Sequence, residues 1–143
     1  MIKKNVLILN GPNLNLLHQR NQDIYGSVSL SEIEEKCHKI ASKLDYQISF
    51  KQSNDEGEIV SYIQDAIDKF DAIIINAAAY THTSIAIRDA LELFHKIKIE
   101  IHLSNIYKRE KFRHHSLLSD IVDGVVCGFG AKSYYMALHY LEL

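Results

Sequence analysis

Apolar residues along this chain keep two different rhythms. Five short runs rich in aliphatic and β-branched residues, at 5–9, 46–51, 72–75, 98–103 and 124–127, read as buried strands. Between them, apolar positions recur at a period near 3.6, the spacing of one helix face. In 29–44 that face is Leu30, Ile33, Cys37, Ile40, Ala41 and Leu44, and the stretch opens on Ser29 with Glu32 three residues later, a pairing that satisfies the free N–H groups of a helix start. In 56–70 the face is Ile59, Val60, Ile63, Ala66, Ile67 and Phe70, and in 83–95 it is Ile85, Ile87, Ala90, Leu91 and Phe94; a last helix begins near 132. Strands that are apolar throughout need cover on both faces, and regular alternation with helices supplies it. The pattern predicts an α/β fold, a flavodoxin-like three-layer sandwich around a five-stranded parallel sheet.

Composition narrows the picture. At 143 residues, 47% hydrophobic and 24% charged, the chain has material for one core, so 1–143 is expected to be a single domain. Lys and Arg number 16 against 18 Asp and Glu, and a net charge of -2 offers no attraction for nucleic acid or an anionic membrane. The first apolar run stops at Asn10, too soon for a secretory leader, and no stretch approaches the roughly 18 apolar residues of a membrane span. Cys37 and Cys127 both fall on apolar faces and are expected as buried free thiols, which suits a reducing cytoplasm. The helix at 83–95 is apolar on more than one stripe, and the surplus predicts contact with another subunit.

The connection 10–27 is long for a turn from strand to helix, where about 2 to 6 residues are usual, and long loops in small domains tend to be functional. Ligands of open parallel sheets sit beyond the carboxyl ends of the strands. Polar and basic groups gather there: Asn10, Gly11 and Asn13; Ser53, Asn54 and Glu56; Asn76, Tyr80, Thr81 and His82; His102, Ser104, Asn105, Arg109 and Arg113; and Gly128 to Gly130. Taken singly, each has a plain explanation as a cap, a turn or a packed side chain. A phosphorelay receiver needs carboxylates where Asn10 and Asn76 stand. GFGAKS lacks the glycine that a phosphate loop has before its lysine, and the histidines show no metal-ligand spacing, so neither nucleotide nor metal is expected. Acid–base chemistry remains. Arg20 and Tyr25 share one loop, a nearby arginine favours a phenolate base, and the same cations suit an anionic substrate. His102 is the matching acid, with Glu100 two residues earlier on the same strand face to orient it.

These motifs resemble the type II 3-dehydroquinate dehydratase family nearly end to end. NGPNLNLL with Arg20 and Tyr25-Gly26 is similar to the family's first-strand motif and lid. QSNDEGEIVSYIQ, INAAAYTHTSIAIRDAL, EIHLSNIYKREKFRHHS and GFGAKSYYMAL are similar to the four that follow. The resemblance implies anti elimination of water from 3-dehydroquinate to 3-dehydroshikimate through an enolate, in the shikimate pathway, with no cofactor, metal or Schiff base. It implies Tyr25 as base, with Arg20 favouring its ionised form and closing over the substrate; His102 as acid with Glu100 as partner; and Asn13 as a holder of the water that stabilises the enolate oxygen. Asn76, His82, the backbone of Leu103, Ser104 and Arg113 would hold the substrate, Arg109 would lie beside Tyr25, and Asp89 would reach a neighbouring subunit's site in a dodecamer built of four trimers. The chain departs from the family pattern at His18 and Ala77, where Gly and Pro are common, at Asn21-Gln22 in place of Glu-Pro, and at Ser133 in place of Gly. A catalytically silent acid-binding or regulatory domain on the same scaffold is the alternative, which would show an eroded acid–base pair.

Overall fold

The computed structural model describes residues 3–142. Five strands, β1 (Lys4–Asn10), β2 (Tyr46–Gln52), β3 (Ala72–Asn76), β4 (Ile97–His102) and β5 (Gly124–Cys127), form one sheet in the order β2-β1-β3-β4-β5, with every pairing parallel. This is the flavodoxin-like order, in which the chain steps outward from β1 in one direction and then the other.

The helices are α1 (Gln22–Tyr25), α2 (Leu30–Lys43), α3 (Glu56–Ala66), α4 (Ile85–Glu92) and α5 (Lys132–Tyr140). Side chains alternate across the strands, and each set finds its own helices. Val6, Ile8, Ala72, Ile74, Ile99 and Ile101 pack under Ile33 and Cys37 of α2 and Tyr134, Ala137 and Leu138 of α5. Leu7, Leu9, Ile73 and Ile75 pack under Ile59 and Ile63 of α3 and Ile87, Ala90 and Leu91 of α4.

Caps fix where the helices begin. Ser29 Oγ accepts from the Glu32 N–H at 3.2 Å, Asp55 Oδ1 from Glu58 N–H at 3.0 Å, and Ser84 Oγ from Ile87 N–H at 2.9 Å. Two helices stop short of the span their apolar rhythm predicts. After Ala66 and Glu92 the chain turns, yet Ile67, Phe70 and Phe94 still pack on the core, so the rhythm continues beyond the helical hydrogen bonds. Cys37 is buried as expected, whereas Cys127 is only half-buried because β5 is the edge of the sheet.

The long first connection is folded rather than open. It contains a 3-10 turn at Leu14–Gln19 and then α1, with Leu14, Leu17 and Tyr25 buried in the core. Its positive-φ residues are Asn13, at 70°, and Gly26, at 82°, so the helical turn around His18 makes no demand for glycine. Asn21 starts α1 by accepting the Asp23 N–H on its side-chain oxygen at 3.0 Å. Gly11 is forced by proximity, since a Cβ there would lie 2.3 Å from the Ala77 carbonyl oxygen.

Candidate active site

Three strand ends, those of β1, β3 and β4, build one cleft. Its lining includes Arg20 and Tyr25 from the first connection, Asn76, Ala78, Ala79 and His82 from the end of β3 onward, and His102, Leu103, Ser104, Arg109 and Arg113 from the end of β4 onward. The ends of β2 and β5 contribute no lining side chain. Asn54, after β2, instead accepts the Asn13 N–H at 3.0 Å and so anchors the base of the first connection.

Tyr25 is buried and surrounded by positive charge. Arg20 donates from Nη2 to its hydroxyl at 2.5 Å, with the guanidinium carbon 4.1 Å from the ring centroid, and the Arg109 guanidinium carbon lies 5.0 Å from the same ring. Burial holds Arg20 below its ordinary range; attraction to the Tyr25 oxygen opposes this, and repulsion from Arg109 and Arg113 adds to it. Three guanidiniums crowded in one cleft favour an anionic guest.

His102 belongs to the same lining, and its Nε2 lies 2.5 Å from Glu100 Oε2. Glu100 is fully buried, and burial by itself would raise its carboxyl. The bond with His102, with those from Ser119 Oγ at 2.6 Å and Ser116 Oγ at 2.9 Å, outweighs that penalty and holds Glu100 below the usual carboxylate range. An ionised Glu100 accepts a hydrogen bond from the Nε2–H of the ring, which leaves Nδ1 as the nitrogen able to exchange a proton with a bound molecule. His82 stacks on His102 with ring centroids 6.5 Å apart. Its Nδ1 donates to the His115 carbonyl at 2.8 Å, and burial, the dominant influence, holds its ring below the ordinary imidazole range.

The family model described as class II dehydroquinase matches residues 4–142. The chain belongs to the class II dehydroquinases. It is 51% identical over 138 residues to the 3-dehydroquinate dehydratase of Brucella canis, covering 96% of this chain and 88% of that one. The crystal structure of type II dehydroquinase from Butyrivibrio crossotus superposes with a TM-score of 0.96 at 40% identity, covering 99% of both chains. That from Propionibacterium acnes gives 0.95 at 38%, covering 99% of this chain and 97% of that one.

Of the residues expected from sequence, this class II dehydroquinase brings nine to the cleft wall: Arg20, Tyr25, Asn76, His82, His102, Leu103, Ser104, Arg109 and Arg113. Glu100 lies beneath His102. Asn13 and Asp89 are exposed and form no part of the wall. Sequence reasoning missed Ser116 and Ser119, which sit 16 and 19 residues from the carboxylate they serve and show no local signal. It also missed the hydroxyl of Tyr134, which reads in sequence only as one apolar position of α5. Among the described residues no cluster of three His, Cys, Asp or Glu is arranged to hold a metal ion, and no helix is long and apolar enough to cross a membrane.

Proposed function

We propose that this class II dehydroquinase chain, a single catalytic domain, removes water from 3-dehydroquinate to give 3-dehydroshikimate as a hydro-lyase of the shikimate pathway. The observation that carries the reading is the pairing across one cleft of a cation-bound tyrosine with a histidine backed by a buried carboxylate. Tyr25, as phenolate, takes the proton on the carbon between the ketone and the tertiary alcohol; the electron pair moves onto the ketone oxygen, giving an enolate. The enolate re-forms the ketone and expels the hydroxide, which takes a proton from His102 and departs as water, anti to the proton removed. Arg20 and Arg109 balance the negative charge at Tyr25, and Glu100 supports the positive charge that His102 carries before it gives up its proton. Asn13, outside the wall itself, helps hold a water that stabilises the enolate oxygen, while Asn76, His82, the Leu103 backbone, Ser104 and Arg113 hold the ring hydroxyls and carboxylate. No cofactor enters these steps.

A silent binding domain has no use for this arrangement. Burying a carboxylate costs several kcal/mol unless it is well satisfied, and here two serines and a histidine are committed to it. That investment suits proton transfer at His102 better than simple recognition.

The exposed side of α4 supports assembly. Ile85 is 64% exposed and Leu93, just past the helix, is 54% exposed, with Ala86 and Asp89 also open to solvent. We read this face as the contact of a trimer in which Asp89 completes a neighbouring site, four trimers forming a cytoplasmic dodecamer.

The test is direct. Purified protein mixed with 3-dehydroquinate should build the ultraviolet absorbance of a conjugated enone, equally well with a chelator present or after treatment with borohydride in the presence of substrate, because among the described residues the cleft wall carries no lysine to form an imine. Failure to form the enone would remove the function; loss of activity under either treatment would remove the mechanism.

A further inference from the structure

Behind the cleft wall a chain of hydrogen bonds runs through three buried side chains. Asn10 Nδ2 donates to the Lys51 carbonyl at 3.0 Å, Tyr134 Oη donates to Asn10 Oδ1 at 2.6 Å, Asn76 Nδ2 donates to Tyr134 Oη at 3.0 Å, and the Ala78 N–H donates to Asn76 Oδ1 at 3.3 Å. Asn10, Tyr134 and Asn76 stand on β1, α5 and β3 and are 0%, 0% and 3% exposed.

Both ends of this chain are backbone groups of fixed polarity. The Lys51 carbonyl can only accept, so Asn10 must turn its NH2 toward β2 and its oxygen toward Tyr134. The Ala78 N–H can only donate, so Asn76 must turn its oxygen that way. A single arrangement satisfies every member, and reversing either amide sets acceptor against acceptor or donor against donor. Burial raises the Tyr134 phenol far above its ordinary value, so its proton stays in place at any working pH.

The consequence reaches the cleft. Asn76 lines it, and with Oδ1 and one Nδ2 hydrogen engaged, the second Nδ2 hydrogen has no acceptor among the described residues. From this we infer that Tyr134 is a positioning residue for substrate binding: its hydroxyl, accepting from Nδ2 at 3.0 Å, joins the longer 3.3 Å bond from the Ala78 N–H in locking the Asn76 amide so that the cleft meets an N–H donor, suited to a carboxylate or hydroxyl oxygen, instead of a carbonyl oxygen that would repel it. The inference rests on the assignment of Asn76 to the substrate.

Tyr134→Phe keeps the ring that packs in the core and removes only the hydroxyl. Its KM for 3-dehydroquinate should rise about tenfold, the scale of one misdirected hydrogen bond, with kcat held within about threefold. Asn10→Ala attacks the chain from its other end, freeing the Tyr134 proton to face Asn76, and should raise KM in the same way even if Tyr134→Phe folds poorly. On an Asn76→Ala background, Tyr134→Phe should cost nothing further in kcat/KM, which a general loosening of the core would not reproduce. A normal KM for Tyr134→Phe beside a raised one for Asn76→Ala, or losses that simply multiply in the double variant, would overturn the inference. An unchanged KM in Asn76→Ala would instead remove the assignment of Asn76, and this inference with it.

Discussion

Arg20 reaches forward five residues along one folded connection to set its guanidinium nitrogen 2.5 Å from the Tyr25 hydroxyl. The short turn of α1 makes that possible. Asn21 caps it, Tyr25 ends it, and burial of the Tyr25 ring among Leu14, Leu17 and the sheet residues fixes the phenol while the arginine closes on it from the cleft side. A base and its counter-charge therefore arrive together, carried by the same segment.

Replacing Tyr25 with Phe removes the atom assigned to take the proton and leaves the ring in its packing. Steady-state assays should show kcat reduced by about 10² to 10⁴-fold, while calorimetric affinity for a ring-acid analogue of the substrate changes only a few-fold. His102→Ala should lower both turnover and affinity, since that ring also forms part of the wall. A Tyr25→Phe enzyme turning over at the normal rate would mean that another group is the base.

Glu100 should leave a mark on acid stability. Its carboxyl is held below the ordinary range when folded, so its interactions stabilise the fold fully above about pH 4.3, the unfolded value, and are lost as the pH falls through the lower folded one. His82, held low by burial, acts in the same sense from about pH 6.5 downward. Urea midpoints measured across a pH series should drop as the medium becomes acidic, and drop less steeply for Glu100→Gln. Parallel curves for the two proteins would show that Glu100 ionises as readily in the unfolded chain.

Much of this was readable in the bare chain, for physical reasons. Strands covered on both faces are apolar throughout, so β1 and β3 declare themselves, and a cap such as Ser29 acts on a donor only three residues away. The strand-end rule collects Asn76, His82 and His102 into one neighbourhood without any knowledge of distance. Contacts between remote residues are a different matter. Nothing near Ser119 marks it as a partner of Glu100, and nothing near Tyr134 reveals that its hydroxyl bridges β1 and β3. The fold inside 10–27 was hidden as well, because a 3-10 turn and a single helical turn are too short to set up a periodic signal.

Assembly gives an independent prediction. Light scattering of the purified protein should return a mass near twelve times 16.4 kDa, about 197 kDa, with trimers the only smaller active species. Asp89→Ala should lower activity without disturbing the fold, because its carboxylate is exposed and has no place in the cleft wall of its own chain. A fully active monomer would contradict the shared site.

The central claim is that a proton and a hydroxyl leave from opposite faces of the ring, one to Tyr25 and the other by way of His102. Two samples of 3-dehydroquinate, each carrying a single deuterium on the carbon between the ketone and the tertiary alcohol, one anti and one syn to the departing hydroxyl, test it most directly. Mass spectrometry of the product should show the anti label lost and the syn label retained, with slower turnover of the anti-labelled sample if proton removal limits the rate. Retention of the anti label would contradict the account.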